Sequence, residues 1–148
     1  MPASVTLYTI GFTKKTAAEF FGLLRAAGVK RVLDVRLNNV SQLAGFAKKD
    51  DLAFFLREIA DIEYRHVPEL APTQELIDLA RKRHEWDRFE AGYLRLIRTR
   101  KVADVVSRNE LDHGCLLCSE DQPAHCHRRV LAEYLAQQFR GTQIVHLV

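Results

Sequence analysis

Apolar and polar positions change period several times along the chain, and each change marks an element. Val5 to Ile10 is a β-branched and apolar run ending at Gly11, the pattern of a buried strand. Thr16-Ala17-Ala18-Glu19 has capping-box spacing, in which the threonine oxygen accepts from a free amide and the glutamate reaches back. A helix is therefore predicted to Ala27, with Gly28 as its left-handed stop. Arg31 to Arg36 follows after a gap that fits only a tight turn, which makes the first three elements a β-α-β unit and its two strands parallel. The segment from Leu37 to Lys49 reads as a loop holding Asn38, Asn39, Ser41, Gln42 and Gly45. Asp50 or Asp51 is expected to cap a second helix ending near Ala60, and Ile62 to Val67 reads as a third strand closed by Pro68. Pro72-Thr73-Gln74-Glu75 starts another helix, and Asp78 to Asp112 reads as helical in two or three pieces. Cys115 to Cys118 is a fourth strand, Ala124 to Phe139 an amphipathic helix, and Gln143 to Val148 a closing strand. This alternation predicts one α/β domain over residues 1–148, three-layered and Rossmann-like, with a mainly parallel sheet of about five strands.

Composition narrows the class. The 148 residues are 47% hydrophobic and 28% charged, an ordinary globular balance with no linker or repeat. Neither a signal-peptide pattern nor a stretch approaching membrane-span length is visible, so a cytoplasmic location without membrane partners is expected. Three cysteines, an odd number, then predict reduced thiols rather than a disulfide framework. The formal charge of +3 is too small to imply nucleic acid by itself. Eight arginines and lysines between Arg81 and Lys101, interleaved with Trp86, Phe89 and Tyr93, permit two interpretations. The favoured one is a pair of helices with solvated charged faces and buried aromatics; the alternative is a nucleic-acid surface that tracks phosphates and stacks bases.

The chemistry gathers where strands end. Four predicted strands finish in polar or permissive groups: Thr9-Ile10-Gly11, Asp34-Val35-Arg36, Tyr64-Arg65-His66 and Cys118-Ser119-Glu120. In a parallel sheet these tips share one edge, the edge at which α/β domains bind ligands. Asp34 and Arg36 leave their strand on the same face, and a charge at a buried strand end needs a partner, so Asp34 is expected to pair with Arg36 or Arg128.

The densest stretch runs from Cys118 to Arg129 and includes Glu120, His125, Cys126, His127 and Arg128. With Pro123 at the first helical position, Cys126 and His127 fall in the first turn, where free amides, the helix dipole and neighbouring cations favour a thiolate. Cys126 is thus a candidate nucleophile or metal ligand, and it can approach Cys118. A zinc set that includes Cys115 is disfavoured, because Cys115 and Cys118 lie an odd step apart and point to opposite faces of a strand. Cys118, Cys126 and His127 with a distant residue such as His66 remain as a metal-binding alternative. An anion site needs fewer assumptions: Arg36 and Arg128 as guanidinium forks, first-turn amides, and Gly11 permitting close backbone approach. No nucleotide fingerprint of the P-loop or dinucleotide type is present, so neither ATP nor NAD is indicated and the cofactor is unassigned.

Tyr8-Thr9-Ile10-Gly11-Phe12, Asp34-Val35-Arg36, His66-Val67-Pro68-Glu69-Leu70 and Leu117-Cys118-Ser119-Glu120 followed by Pro123 and Cys126-His127-Arg128 together resemble the bacterial and archaeal family called domain of unknown function 488, over nearly the whole chain. The resemblance implies a single cytoplasmic α/β domain, with signature positions at Gly11, Asp34, Arg36, His66, Cys118, Glu120, Cys126, His127 and Arg128. It implies no particular reaction. The chain departs from the family pattern after Asp-Val-Arg, reading Leu37-Asn38-Asn39-Val40-Ser41-Gln42, so a position expected to be basic is the neutral Gln42.

The expectation from these residues is an enzyme-like domain acting on an anionic, phosphate-bearing small molecule or nucleic acid. Cys126 would be the activated thiol, and Asp34, Glu120 and His127 the proton-handling and orienting groups. Gly11, Arg36, His66, Cys118 and Arg128 would bind the ligand.

Overall fold

The computed structural model describes residues 4–38, 45–120 and 126–148. Five parallel strands form one sheet: β1 (Val5–Gly11), β2 (Arg31–Asp34), β3 (Glu63–His66), β4 (Gly114–Cys118) and β5 (Thr142–Leu147), in the order β3-β2-β4-β1-β5. The parallel α/β architecture is the one that the alternating pattern predicts. β1 and β2 are parallel as expected, but they are not neighbours: β4 lies between them and pairs with both.

Among the described residues, six α-helices connect these strands. The first, α1 (Ala17–Ala27), has the predicted Thr16/Glu19 capping box and stops at Gly28, whose φ of 75° lies in the left-handed region that glycine enters without steric cost. The second, α2 (Lys49–Phe55), starts at Lys48 with no side-chain cap, so Asp50 and Asp51 sit inside its first turn rather than capping it. There they still oppose the positive end of the dipole. The helix widens into one π-type turn, Leu56–Ala60, which ends at Asp61. α3 (Gln74–Arg81) begins at the Thr73 cap, followed by α4 (Trp86–Thr99) and the short α5 (Arg108–Leu111), the pieces into which the region from 78 to 112 divides. The last is α6 (His127–Gln138), with extended backbone at Cys126 before it; the expected Ala124 start lies outside the described residues. So do Pro123, expected at the first helical position, and Asn39, Ser41 and Gln42 of the loop after β2.

Two apolar clusters flank the sheet and give three layers. One joins α1 and α2 to Val32, Cys115 and Leu117; the other joins α4, α5 and α6 to Leu33, Leu116 and Cys118. The two-residue alternation of β4 thus sends Cys115 and Cys118 to opposite faces, as the spacing argument requires. In the 81–101 region, Phe89 and Tyr93 are fully packed in the second cluster. Two of the three aromatics read as possible base-stacking groups thus belong to the core, and Trp86 is partly buried against it. Among the described residues, no helix is long and apolar enough to cross a membrane.

Candidate functional site

Parallel pairing brings the carboxyl ends of β1, β2 and β4 to one edge, and a cleft of about 1230 Å³ opens there. Of the nine residues predicted for the site, Arg36, Cys118, Glu120, Cys126 and His127 line it. Asp34, Gly11, His66 and Arg128 are in the supporting layer behind it.

Asp34 pairs with Arg36 rather than Arg128. The Arg36 Nε and Nη2 donate to the two carboxylate oxygens at 2.8 Å each, and the Tyr64 hydroxyl donates to Oδ2 at 2.5 Å. Burial alone would raise the Asp34 carboxyl, but the Arg36 fork and charge and the Tyr64 hydroxyl outweigh it and hold the group below the usual carboxylate range. A fully buried, fully bonded carboxylate has no free position for a substrate proton. The expected proton-handling role of Asp34 is therefore replaced by a structural one, the positioning of Arg36. The imidazole of His66 bonds the Arg36 carbonyl through Nε2 at 3.0 Å, so it too braces this strand end, and it is not part of the cleft lining. Arg36 itself keeps one end unspent. Its guanidinium sits 5.5 Å from the centre of the Phe12 ring, and its Nη1 is buried without a hydrogen-bond partner.

Arg128 is not the anion fork that the sequence suggested. It is completely buried, with Nε donating to Thr9 Oγ1 at 3.3 Å and Nη1 donating to Cys118 Sγ at 3.1 Å and to the Glu120 carbonyl. The Thr9 oxygen lies 2.6 Å from His146 Nδ1, extending the network across β1 to β5. Gly11 also has a different reason for being glycine. A Cβ there would fall on the Glu120 carbonyl, so the close approach is made by the chain's own loop after β4, not by a ligand. A Thr13 N–H to Ser119 carbonyl bond of 3.0 Å ties the same loop to the segment after β1.

Cys118 ends β4, and Cys126 is the residue immediately before α6; their sulfurs meet, and the structure joins them as a disulfide. This departs from the expectation of reduced thiols for that pair; Arg128, from the first turn of α6, bonds Cys118 Sγ and the Glu120 carbonyl and so holds the end of β4 against the start of the helix. Cys115 is the free thiol, and burial pushes it far above the ordinary cysteine value. His127, in the first turn of α6, places Nε2 2.8 Å from the Val35 carbonyl, and the Tyr93 ring meets it edge-on at 5.5 Å. Burial lowers the His127 imidazole to about 4; the Arg128 and Arg81 charges act in the same direction, and the Val35 carbonyl opposes them.

Much of the rest of the lining comes from the segment after β1 and from α3 and α4. Lys14 and Lys15 follow β1, Arg81 ends α3, His84 lies between α3 and α4, and Trp86 starts α4. Arg81 reaches Glu120 at 3.7 Å, and both side chains remain largely exposed. None of these residues was assigned to this site from sequence, and neither was Tyr64; Arg81 and Trp86 entered only through the alternative nucleic-acid surface of the 81–101 region. A usable signal existed for Lys14 and Lys15, since any cation just past a parallel-strand tip faces the ligand edge.

A parallel α/β domain whose carboxyl edge carries a cysteine- and histidine-lined cationic cleft is the class that this geometry defines. The chain belongs to the family described as domain of unknown function DUF488, whose model matches residues 16–135. No curated protein and no solved structure matches it.

Proposed function

We propose that the cleft binds an anionic, phosphate-bearing small molecule and presents it to the Cys126 thiol that reduction of the pair releases. The observation carrying this is the buried, unpartnered Nη1 of Arg36 at a cleft whose described lining holds Lys14, Lys15 and Arg81 against one carboxylate, Glu120. A buried guanidinium nitrogen without a partner costs about 1–3 kcal/mol or more, and an oxyanion is the partner that removes this cost most effectively. Nucleic acid is the weaker candidate for the ligand, because Phe89 and Tyr93 are committed to the core. Cys126 is set at the positive end of α6 beside His127, and Glu120 and His127 are the proton-handling groups. A reducing, cytoplasmic setting suits this chemistry.

Pyrophosphate serves as the probe. Added at about ten times its dissociation constant and at fixed ionic strength, it should raise stability by about 1.4 kcal/mol, a melting shift of roughly 3–6 °C for a chain of this size. A Lys14→Gln/Arg81→Gln variant should lose most of that shift. An equal shift in the variant, or none in the wild type, would refute the reading.

Alkylation tests the thiol. After reduction, Cys126 should label first, and Cys115, buried between α1 and the sheet, should label only on unfolding. Equal, slow labelling of all three cysteines is the contrary result.

A further inference from the structure

We propose that the reduced Cys118–Cys126 pair and His127 form a mononuclear site for a thiophilic divalent cation of the Zn²⁺ class, with its open coordination position facing the cleft. One ligand atom from each of the three residues lies within 4.8 Å of the others. Two thiolates and an imidazole are a zinc donor set, and three protein ligands with a position left open are the pattern of reactive rather than purely structural zinc. Among the described residues, no fourth histidine, cysteine or carboxylate joins them, and all three line the cleft, which gives the open position access to solutes. His66, the distant fourth ligand considered from sequence, is bonded to the Arg36 carbonyl instead.

The surroundings fit a metal in two further ways. Metal-bound histidines are usually held by a hydrogen bond from the nitrogen that does not bind the ion. The Val35 carbonyl can only accept, so Nε2 of His127 carries the proton and the lone pair is left on Nδ1. Arg128 Nη1 donates to Cys118 Sγ, which stabilises that sulfur as a thiolate.

The chemistry balances as follows. A water-soluble phosphine reduces the disulfide, giving two thiols and the phosphine oxide, whose oxygen comes from water. Zn²⁺ then displaces the two thiol protons, so a dithiolate-bound ion forms with no net redox change at the metal. The site does not depend on an anion being bound. The free Cys126 thiol of the anion reading belongs to the metal-free state; with Zn²⁺ bound, Cys126 and His127 are ligands, and a phosphate oxygen takes the open position while Arg36 receives the rest of its charge.

The experiment uses the full chain, reduced with phosphine under anaerobic conditions. Zn²⁺ uptake is measured by competition with a chromophoric chelator, and Co²⁺ serves as a spectroscopic probe of ligand type. One ion per chain, with an intense tetrahedral cobalt spectrum carrying thiolate-to-metal bands, is the expected result. Cys118→Ser and Cys126→Ser should abolish tight uptake, and Cys115→Ser should leave it intact. His127→Gln should weaken it by more than the roughly 100-fold that loss of a supporting partner costs. Should a serine variant fail to fold, the wild-type cobalt spectrum still decides, since a pale octahedral spectrum means that no thiolate site exists. Uptake well below one ion per chain, or unchanged uptake in both serine variants, also overturns the site. The Lys14→Gln/Arg81→Gln variant separates the two proposals: it should lose pyrophosphate binding yet keep Zn²⁺. Pyrophosphate binding without Zn²⁺ uptake in the wild type would sink the metal site alone.

Discussion

Asp34→Asn is expected to lower the unfolding free energy by about 3–5 kcal/mol, the usual cost of removing one member of a buried ion pair. The substitution keeps the shape of the side chain but leaves the Arg36 guanidinium almost wholly buried with its counter-charge gone. Replacing both partners by apolar residues, as in Asp34→Leu/Arg36→Met, should recover most of the loss, because no uncompensated charge is then buried. Urea denaturation of the three proteins checks this; a single-variant loss below about 1 kcal/mol would show that the pair contributes little. The pH dependence has a definite sign. The folded Asp34 carboxyl titrates below its ordinary 3.8, so its contribution is fully present above that value and disappears as pH falls through the lowered folded value. The Asn variant should lack that part of the acid limb.

Gly11→Ala should be nearly as damaging, at about 2–5 kcal/mol, and should also disturb the cysteine pair. Its new methyl would occupy the position of the Glu120 carbonyl and come within 2.9 Å of Arg128 Nη1. The loop after β4 would have to retreat, adding the loss of the Arg128–Glu120 bond to the cost of overpacking. Since that loop connects Cys118 to Cys126, disulfide formation after reduction should slow in step with the loss of stability. Gly22 provides the control: it lies on α1 with nothing near its missing Cβ, and alanine there should stabilise by roughly 0.5–1 kcal/mol. Thermal melting with thiol quantification reads both effects; a Gly11 variant as stable as the Gly22 variant would disprove the close-approach account.

Much of the architecture was legible because it depends on short-range rules. Capping at Thr16, the stop at Gly28 and the two-residue alternation of β4 are local features, and parallel strands have to gather their tips at one edge. Whether a charge is free or spent depends on partners far away in sequence. Arg128 meets Thr9, 119 residues earlier, and Asp34 meets Tyr64, 30 residues later, so residue type could flag these groups but not assign them. The same holds for Gly11, where the need for close approach was visible and the approaching object was not. The cationic side of the cleft was missed because Lys14 and Lys15 follow β1 and Arg81 ends α3, and which of them reach the sheet edge depends on how α3 and α4 pack. In the 81–101 region, amphipathic spacing correctly favoured buried aromatics, since Phe89, Tyr93 and Ile97 recur at helical intervals.

The position of β4 between β1 and β2 governs the order in which the chain can be completed. Its five residues, all buried, pair with strands that precede it by far in sequence, so the N-terminal β-α-β segment leaves the ribosome with two unsatisfied edges facing a gap. Only when Gly114 to Cys118 emerges is that gap filled. A nascent chain stalled before this point presents open strand edges to chaperones and to other nascent chains, and the strand that closes the sheet also delivers Cys118 to the cleft.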